Sequence, residues 1–497
     1  MNNTKTMDQK ICIAMVPCPG ISHLIPFVEF AKLLVLHHKN FHITFLIPTL
    51  GSPTPTTKAI LNSLPQNTID FKFLPQINIE DLPPNLHIAG QMKVVVKHSL
   101  PSLYQEVNTL ITSLQSKNNN LVALVFDFFS SDVIDIAKKF NLMSYVFGTS
   151  SAVAFQFCLN LPKLDESLSS EFMDKTKTFD IPNSNVSFKV KDFPDPALYA
   201  RSSETYKAFL HVCQRLSLLD GVIVNSFTNL EPHAIKFMED FLCVYPIGPI
   251  IQNESNSKVN KSTCINWLNN KPSKSVLFIS FGSGGTLTQE QINEIAFGLE
   301  LSGCNFLWVI RVPNKHSSSF YFSGSSKNSN SNSNCDFDDD PLNYLPLGFS
   351  ERTKDQGLVV PLWAPQVDIL GHSSIGGFLT HCGWSSCLES VFYGVPMIAW
   401  PLFAEQRMNA SMLEDILKVA VRPKICDEDG IVKGEEVCRV IKILMDGGCL
   451  GLELKKRIEE LKFGASDAMS EDGSSRKALS SLVLKWEERV SEKLNLF

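Results

Sequence analysis

The chemistry-bearing residues of this chain crowd into one span, Trp363 to Gln406, which reads WAPQVDILGHSSIGGFLTHCGWSSCLESVFYGVPMIAWPLFAEQ. GFLTHCG reads as a buried strand that stops at a glycine, and SSCLESVFYG as the helix that follows. Such a turn aims free backbone N–H groups at whatever lies above it, and the helix dipole adds partial positive charge. Gly383 is expected to let the backbone approach a ligand. His381 stands at the strand end, where a ring N–H can reach a phosphate oxygen. Ser385 and Ser386 add hydroxyl donors. Upstream, Trp363 offers a flat face for a base, a contact worth about 1–3 kcal/mol in nucleic-acid systems. Gln366 both donates and accepts, which suits a uracil or ribose edge. Downstream, Glu405 and Gln406 pair an acceptor with an amide, which suits the vicinal hydroxyls of a sugar. The span therefore reads as a cradle for a nucleotide diphosphate carrying a sugar. Blander readings compete. Ser386-x-x-Glu389 is also a capping box, which would make Glu389 structural. A lone Trp or His in an apolar run is commonly core. The density of polar groups at successive element ends favours the ligand reading.

A transfer reaction also needs a base. PCPGISHLIP (17–26) places His23 in a turn just after the first strand, the carboxyl end of a sheet, where open α/β folds bind ligands. A histidine in a Pro/Gly turn is otherwise structural or merely exposed. LVALVFDFF (121–129) brings Asp127 to the carboxyl end of another strand. Capping or solvation is the ordinary role of such an acid, and Asp132 and Asp135 compete with it. Phe128, Phe129, Phe155 and Phe157 supply aromatic walls that suit a flat acceptor, although most phenylalanines of this half read as core.

These groups need strands to hold them. ICIAMVP (11–17) is a continuous apolar run, as a buried parallel strand should be. Pro26 to Leu36 follows at helical spacing, with Phe27, Phe30, Ala31 and Leu34 on one face. HITFLIPT (42–49), LVALVFDFF, NLMSYVFGTSS (141–151) and GVIVNSF (221–227) continue the alternation, and GVIVNSF closes the first half. VYPIGPI (244–250) reads as a Pro/Gly break, followed by a polar linker. SVLFISFGSGG (275–285) restarts the pattern, with a helix opening near Thr288, then FLWVIR (306–311) and finally VAVRP (419–423). Residues 313–340 are Ser/Asn-rich, end acidic and read as a surface loop. The last helix, about 474–492, carries Leu479, Leu482, Val483 and Trp486 on one side. The alternation predicts α/β architecture with doubly wound parallel sheets. The expected units are 1–247, a linker at 248–262, a second domain at 263–473 and a final helix at 474–497.

Composition narrows the class. A chain of 497 residues with 44% hydrophobic content fills two cores. Its net charge of −6 is spread along the chain, and no basic stripe points to nucleic acid. Thirteen cysteines show neither a CxxC pair nor zinc spacing, so they read as small core residues in a reducing compartment. MNNTKTMDQK lacks a signal-peptide core, and no stretch reaches about 20 apolar residues. A cytoplasmic protein without a membrane span, acting as a monomer, is expected.

The span from WAPQ through HCGW to EQ resembles the signature box of plant family 1 UDP-glycosyltransferases. The likeness runs from about residue 10 to 492. GSGGT, PTLGSP and the Ser/Asn insert resemble its family 72, which glucosylates phenolics. The resemblance implies the GT-B fold, two Rossmann-like domains facing a cleft, with the last helix crossing back to the first domain. It implies that Trp363 stacks on uracil and that Ala364 and Gln366 contact uracil and ribose. Glu389 would hold the ribose hydroxyls, and His381, Ser386 and Ser283 the diphosphate. Trp384, Glu405 and Gln406 would hold the sugar, with Thr149 touching it and Ala404 at the acceptor mouth beside Phe129. His23 becomes the general base, and Asp127 the acid that fixes its tautomer. Two departures stand out: Ser385 replaces the usual Asn, and Ser22 the usual Gly before the histidine. The implied reaction is inverting O-glucosylation of a phenolic metabolite, a flavonoid, isoflavonoid or phenylpropanoid, from UDP-glucose. Gln406 favours glucose over galactose. No metal or cofactor is implied, and Asp336-Phe-Asp338 reads as a solvated acidic run. C- or N-glucosylation at the same site, and a non-catalytic nucleotide-sugar sensor, are the rival readings.

Overall fold

The structure, a computed structural model, describes residues 10–82, 88–116, 119–167, 177–181, 186–252, 260–314 and 340–494. Asp336 and Asp338 lie outside these residues, as does most of the Ser/Asn-rich insert.

Strands β1 (Ile11–Val16), β2 (Phe41–Ile47), β3 (Ile69–Phe73), β4 (Asn120–Asp127) and β5 (Met143–Gly148) open the first half. A hairpin, β6 (Thr178–Ile181) and β7 (Val186–Lys189), precedes β8 (Gly221–Val224) and β9 (Val244–Pro246). Apart from the hairpin these strands form one parallel sheet, ordered β3-β2-β1-β4-β5-β8-β9. The second half holds β10 (Val276–Ser280), β11 (Asn305–Ile310), β12 (Gly357–Pro361), β13 (Ile375–Thr380), β14 (Met397–Ala399) and β15 (Ala420–Val421). They make a second parallel sheet, ordered β12-β11-β10-β13-β14-β15. Both are doubly wound. β1 and β13 are buried along their whole length, which is why they read as unbroken apolar runs.

In each sheet the winding direction reverses between two central strands, and ligands bind beyond the carboxyl ends at such a point. In the first sheet these strands are β1 and β4, with Val16 level with Phe126. In the second they are β10 and β13, with Ser280 level with Thr380. His23 and Asp127 therefore stand at one reversal, Ser283 and His381 at the other.

Three sequence expectations need correcting. The first long helix runs Ile21–His37, so His23 occupies its first turn rather than a loop before it. Gly20, at φ +121°, makes the bend from strand to helix. VYPIGPI does not begin as a break: Val244–Pro246 pairs with β8 and forms the sheet edge, where a proline is tolerated. GVIVNSF is accordingly not the last strand of the first half.

Helix Ser474–Leu494 packs on the first sheet although it follows the second in sequence. Leu479, Leu482, Val483 and Trp486 enter the first core, where the Trp486 indole lies 5.8 Å from the rings of both Phe41 and Tyr145. Ser475 Oγ donates to the Gly248 carbonyl at 2.6 Å, joining this return crossing to the forward one. Further bonds tie the halves near the cleft. The Trp384 indole N–H donates to Asn225 O (2.7 Å), Ser151 Oγ to Asn409 Oδ1 (2.9 Å), and Arg422 pairs with Asp192 at 2.9 Å. Among the described residues no helix is long and apolar enough to cross a membrane.

Candidate active site

The carboxyl ends of both sheets open into one cavity of about 360 Å3. From the first half His23, Phe129 and Thr149 line it. From the second come Ser283, Trp363, Ala364, Gln366, His381, Trp384, Ser385, Ser386, Glu389, Ala404, Glu405 and Gln406. Among the expected catalytic and UDP-sugar residues, Asp127 alone does not line the cavity. It is fully buried behind His23.

His23 Nδ1 lies 2.6 Å from Asp127 Oδ2, and Thr149 Oγ1 lies 3.3 Å from the same nitrogen. An ionised carboxylate only accepts, so the ring proton belongs on Nδ1 and Nε2 carries the lone pair. The second carboxylate oxygen, Oδ1, accepts the Phe129 N–H at 3.1 Å and caps the turn Phe128–Ser130. Asp127 thus caps and orients at once. The competing acids are engaged elsewhere: Asp132 with Lys93 and His211, Asp135 with Arg215. Burial alone would lower the His23 pKa. The charge of Asp127, its hydrogen bond and the more distant charge of Glu405 outweigh that and raise it above 6.5.

Across the cavity, Gln366 Nε2 donates to Ser386 Oγ (2.8 Å) and to Glu389 Oε2 (2.7 Å). The capping-box alternative fails here. Helix Trp384–Tyr393 is capped by Gly383, and Ser386 already lies inside it, with its hydroxyl turned to Gln366. Burial pushes the Glu389 carboxyl up to about 7 against the opposing hydrogen bond from Gln366. Asn260 Nδ2 donates to the Trp363 carbonyl at 2.8 Å and holds that indole's turn.

His381 is pushed down to about 4, first by burial and then by the charge of Arg311, so its ring is neutral at neutral pH. Its Nδ1 is buried with no partner. A Cβ at Gly383 would fall 2.4 Å from His381 Nε2, and one at Gly282 (φ +75°) 2.5 Å from the same ring. Gly383 was expected to admit a ligand to the backbone. The structure shows it making room for the imidazole.

The residues expected to hold the sugar are partly committed elsewhere. The Trp384 indole N–H is used on the Asn225 carbonyl, so this side chain joins the halves as well as lining the cavity. Gln406 Oε1 accepts from the N–H groups of Leu402 (2.9 Å) and Phe403 (3.0 Å), which leaves its amide nitrogen to meet a ligand. Burial raises the Glu405 carboxyl, against a backbone hydrogen bond, the opposing charge of His23 and the Asn409 amide. Ser283 and Ser385 are exposed at the wall.

Ala404 sits at φ +57°. Its N–H donates to Asp195 Oδ2 at 2.7 Å, its carbonyl accepts the Asp195 N–H at 3.0 Å, and Arg407 pairs with the same carboxylate. This clamp was not legible in the sequence, since Asp195 has no motif around it. Phe129 lies 6.2 Å from the His23 ring, with Phe128 and Phe155 behind it edge to face. Phe157 does not reach the cavity and packs on Phe193 at 4.7 Å. Ile88, Met92 and Phe209 add to the apolar wall, and Arg311 also lines the cavity. The one sequence signal for Arg311 was a cation ending the apolar run FLWVIR.

A family model described as UDP-glucoronosyl and UDP-glucosyl transferase matches residues 255–422. The chain is 45% identical to hydroquinone glucosyltransferase of Rauvolfia serpentina, over 98% of this chain and 100% of the relative. It is 43% identical to UDP-glycosyltransferase 72B1 of Arabidopsis thaliana, over 97% of each. Phytolacca americana UGT2, solved with UDP-2fluoro-glucose and pterostilbene, superimposes with a TM-score of 0.84 at 40% identity, covering 96% of this chain and 99% of that one. Likeness of this extent, on a fold whose two winding reversals converge on one cavity, means that the chain belongs to the UDP-glycosyltransferase family and is a GT-B enzyme akin to the family 72 members.

Proposed function

We propose that this enzyme transfers glucose from UDP-glucose to a hydroxyl of a phenolic plant metabolite, with inversion at the anomeric carbon. The observation that carries this reading is the His23–Asp127 pair, 2.6 Å apart, facing the Trp363–Gln406 group across one cavity. The relatives support the substrate class, one being named for hydroquinone and another solved with a stilbene. So does the wall beside His23, where Phe128, Phe129, Phe155, Met92 and Phe209 suit a flat aromatic acceptor.

In this mechanism His23 Nε2 takes the acceptor's hydroxyl proton as that oxygen attacks the anomeric carbon. The carbon–oxygen bond to UDP breaks on the opposite face. Asp127 holds the tautomer and stabilises the imidazolium that forms. Trp363 stacks on the uracil, Ala364 and Gln366 meet its edge and the ribose, and Glu389 takes the ribose hydroxyls. The helix N-terminus at Trp384, with Ser386, Ser283 and neutral His381, receives the departing diphosphate. Glu405, Gln406 and Thr149 face the sugar, while Ala404 and Phe129 border the acceptor. Ser385 offers one hydroxyl there.

His23→Ala should lower turnover at least about a hundredfold, the low end of general-base contributions. UDP affinity measured by calorimetry should stay unchanged. Turnover surviving nearly intact with a phenolic acceptor would refute the base assignment. A screen of flavonoids, isoflavonoids, monolignols and simple phenols identifies the acceptor, and acid hydrolysis of the product separates an O-glucoside from a resistant C-glucoside.

A further inference from the structure

Arg311 follows β11 directly and lines the cavity. The strand order β12-β11-β10-β13 puts its strand end between two others. The turn after β12 carries Trp363, and the loop after β10 carries Ser283. A side chain rising there stands between the expected base and diphosphate positions. Its charge reaches His381, on the far side of that loop.

Arg311 also differs from its counterparts. Arg201, Arg352, Arg407, Arg422 and Arg439 each hold a carboxylate. Among the described residues no acid pairs with Arg311. Burial lowers its pKa to about 10, so it stays charged at neutral pH. A desolvated guanidinium without a counter-ion is costly, and a bound anion removes that cost. His381, neutral at working pH, does not supply positive charge. Among the described residues lining the cavity there is no lysine and no second arginine. The arginine fork also matches phosphate oxygens two at a time.

We propose that Arg311 is a diphosphate-binding residue, taking the negative charge of the donor's pyrophosphate and of UDP as it departs. This rests on the UDP-sugar reading of the cavity. The alternative, a cation that merely stabilises the fold, requires a protein partner that the structure does not show.

The test compares wild type, Arg311→Met and Arg311→Lys for calorimetric binding of UDP and of uridine, and for melting temperature without ligand. For Arg311→Met, UDP affinity should fall about 10- to 100-fold, the range for a hydrogen bond to a charged group. Uridine affinity should hold, and the ligand-free protein should melt no lower than wild type, because a desolvated charge has been removed. Arg311→Lys should retain part of the UDP affinity, since it keeps the charge but not the fork. Unchanged UDP affinity, equal losses for UDP and uridine, or a ligand-free Arg311→Met protein that melts well below wild type would each overturn the proposal. Wild-type protein that failed to bind UDP would instead overturn the reading of the cavity itself.

Discussion

Replacing Glu389 with glutamine isolates one buried charge. Burial moves this carboxyl from its ordinary 4.5 up to about 7, against the hydrogen bond from Gln366. At 1.36 kcal/mol per pH unit, that difference is worth about 3 kcal/mol. The sign follows from proton counting. Between 4.5 and about 7 the folded protein keeps a proton that the unfolded chain has lost. The raised pKa therefore contributes stability at low pH, and that contribution disappears as pH rises through the folded value. Glutamine keeps the shape, still accepts from Gln366 and does not ionise. Without ligand, Glu389→Gln should match wild type near pH 4 and exceed it by about 3 kcal/mol near pH 8. Urea denaturation across that pH range measures it, and subtracting the two proteins cancels other titrating groups such as Glu405 and Glu231. UDP should reverse the order, because ribose hydroxyls donate to a carboxylate and favour its charged form. A difference that stays flat with pH, or a wild type more stable than the variant near pH 8 without ligand, would refute this account of the buried charge.

Asp127→Asn should move the acid limb of kcat/KM to lower pH. The base works when neutral, so activity rises with pH through the His23 pKa, and losing Asp127 leaves burial to pull that pKa down. The plateau should drop by about 10²–10⁴-fold as the tautomer is lost. An acid limb that does not move would show that the pair does not set the pH dependence. Trp486→Ala should destabilise the protein by about 3–5 kcal/mol, the usual loss for a large buried aromatic, and a denaturation midpoint within error of wild type would contradict the packing described. Activity with UDP-glucose should persist in excess chelator, and its loss with recovery on adding a divalent cation would count against a donor site built from helix N-terminus, hydroxyls and imidazole.

What could be read from the residues alone follows a physical division. β1, β4, β10 and β13 are buried on both faces, so each spells a continuous apolar run. β3 is half exposed and reads IDFKF, β9 is three residues ending in proline, and β12 is mostly half-buried. β3 does alternate strictly, but over five residues only, while β9 and β12 carry no period. Pro26 marked a helix start in the sequence, yet the helix begins at Ile21 and carries the proline inside it, at the cost of one backbone bond and of crowding against the Ser22 carbonyl. The Trp363–Gln406 wall of the cavity was legible because its polar groups are close in sequence and sit at element ends. Asp195 clamps Ala404 from 209 residues away, and Asn225 takes the Trp384 indole from a distance of 159. No local pattern records such pairings. Arg311 was visible as a residue, but what marks it out is that no acid among the described residues pairs with it, which only the fold reveals.

The return of the last helix changes what counts as a module. Helix Ser474–Leu494, 21 residues long, is contiguous with the second half yet completes the hydrophobic core of the first. A chimera spliced once, in the linker, would therefore graft a foreign helix onto the first half. Two splice points, one near Gly248 and one near Ser475, respect the molecule's own seams, and the hydrogen bond between those residues shows how closely the seams meet. Under the proposed division of acceptor and donor binding, the two preferences would be exchanged as a split block and an inserted one, not as a front half and a back half.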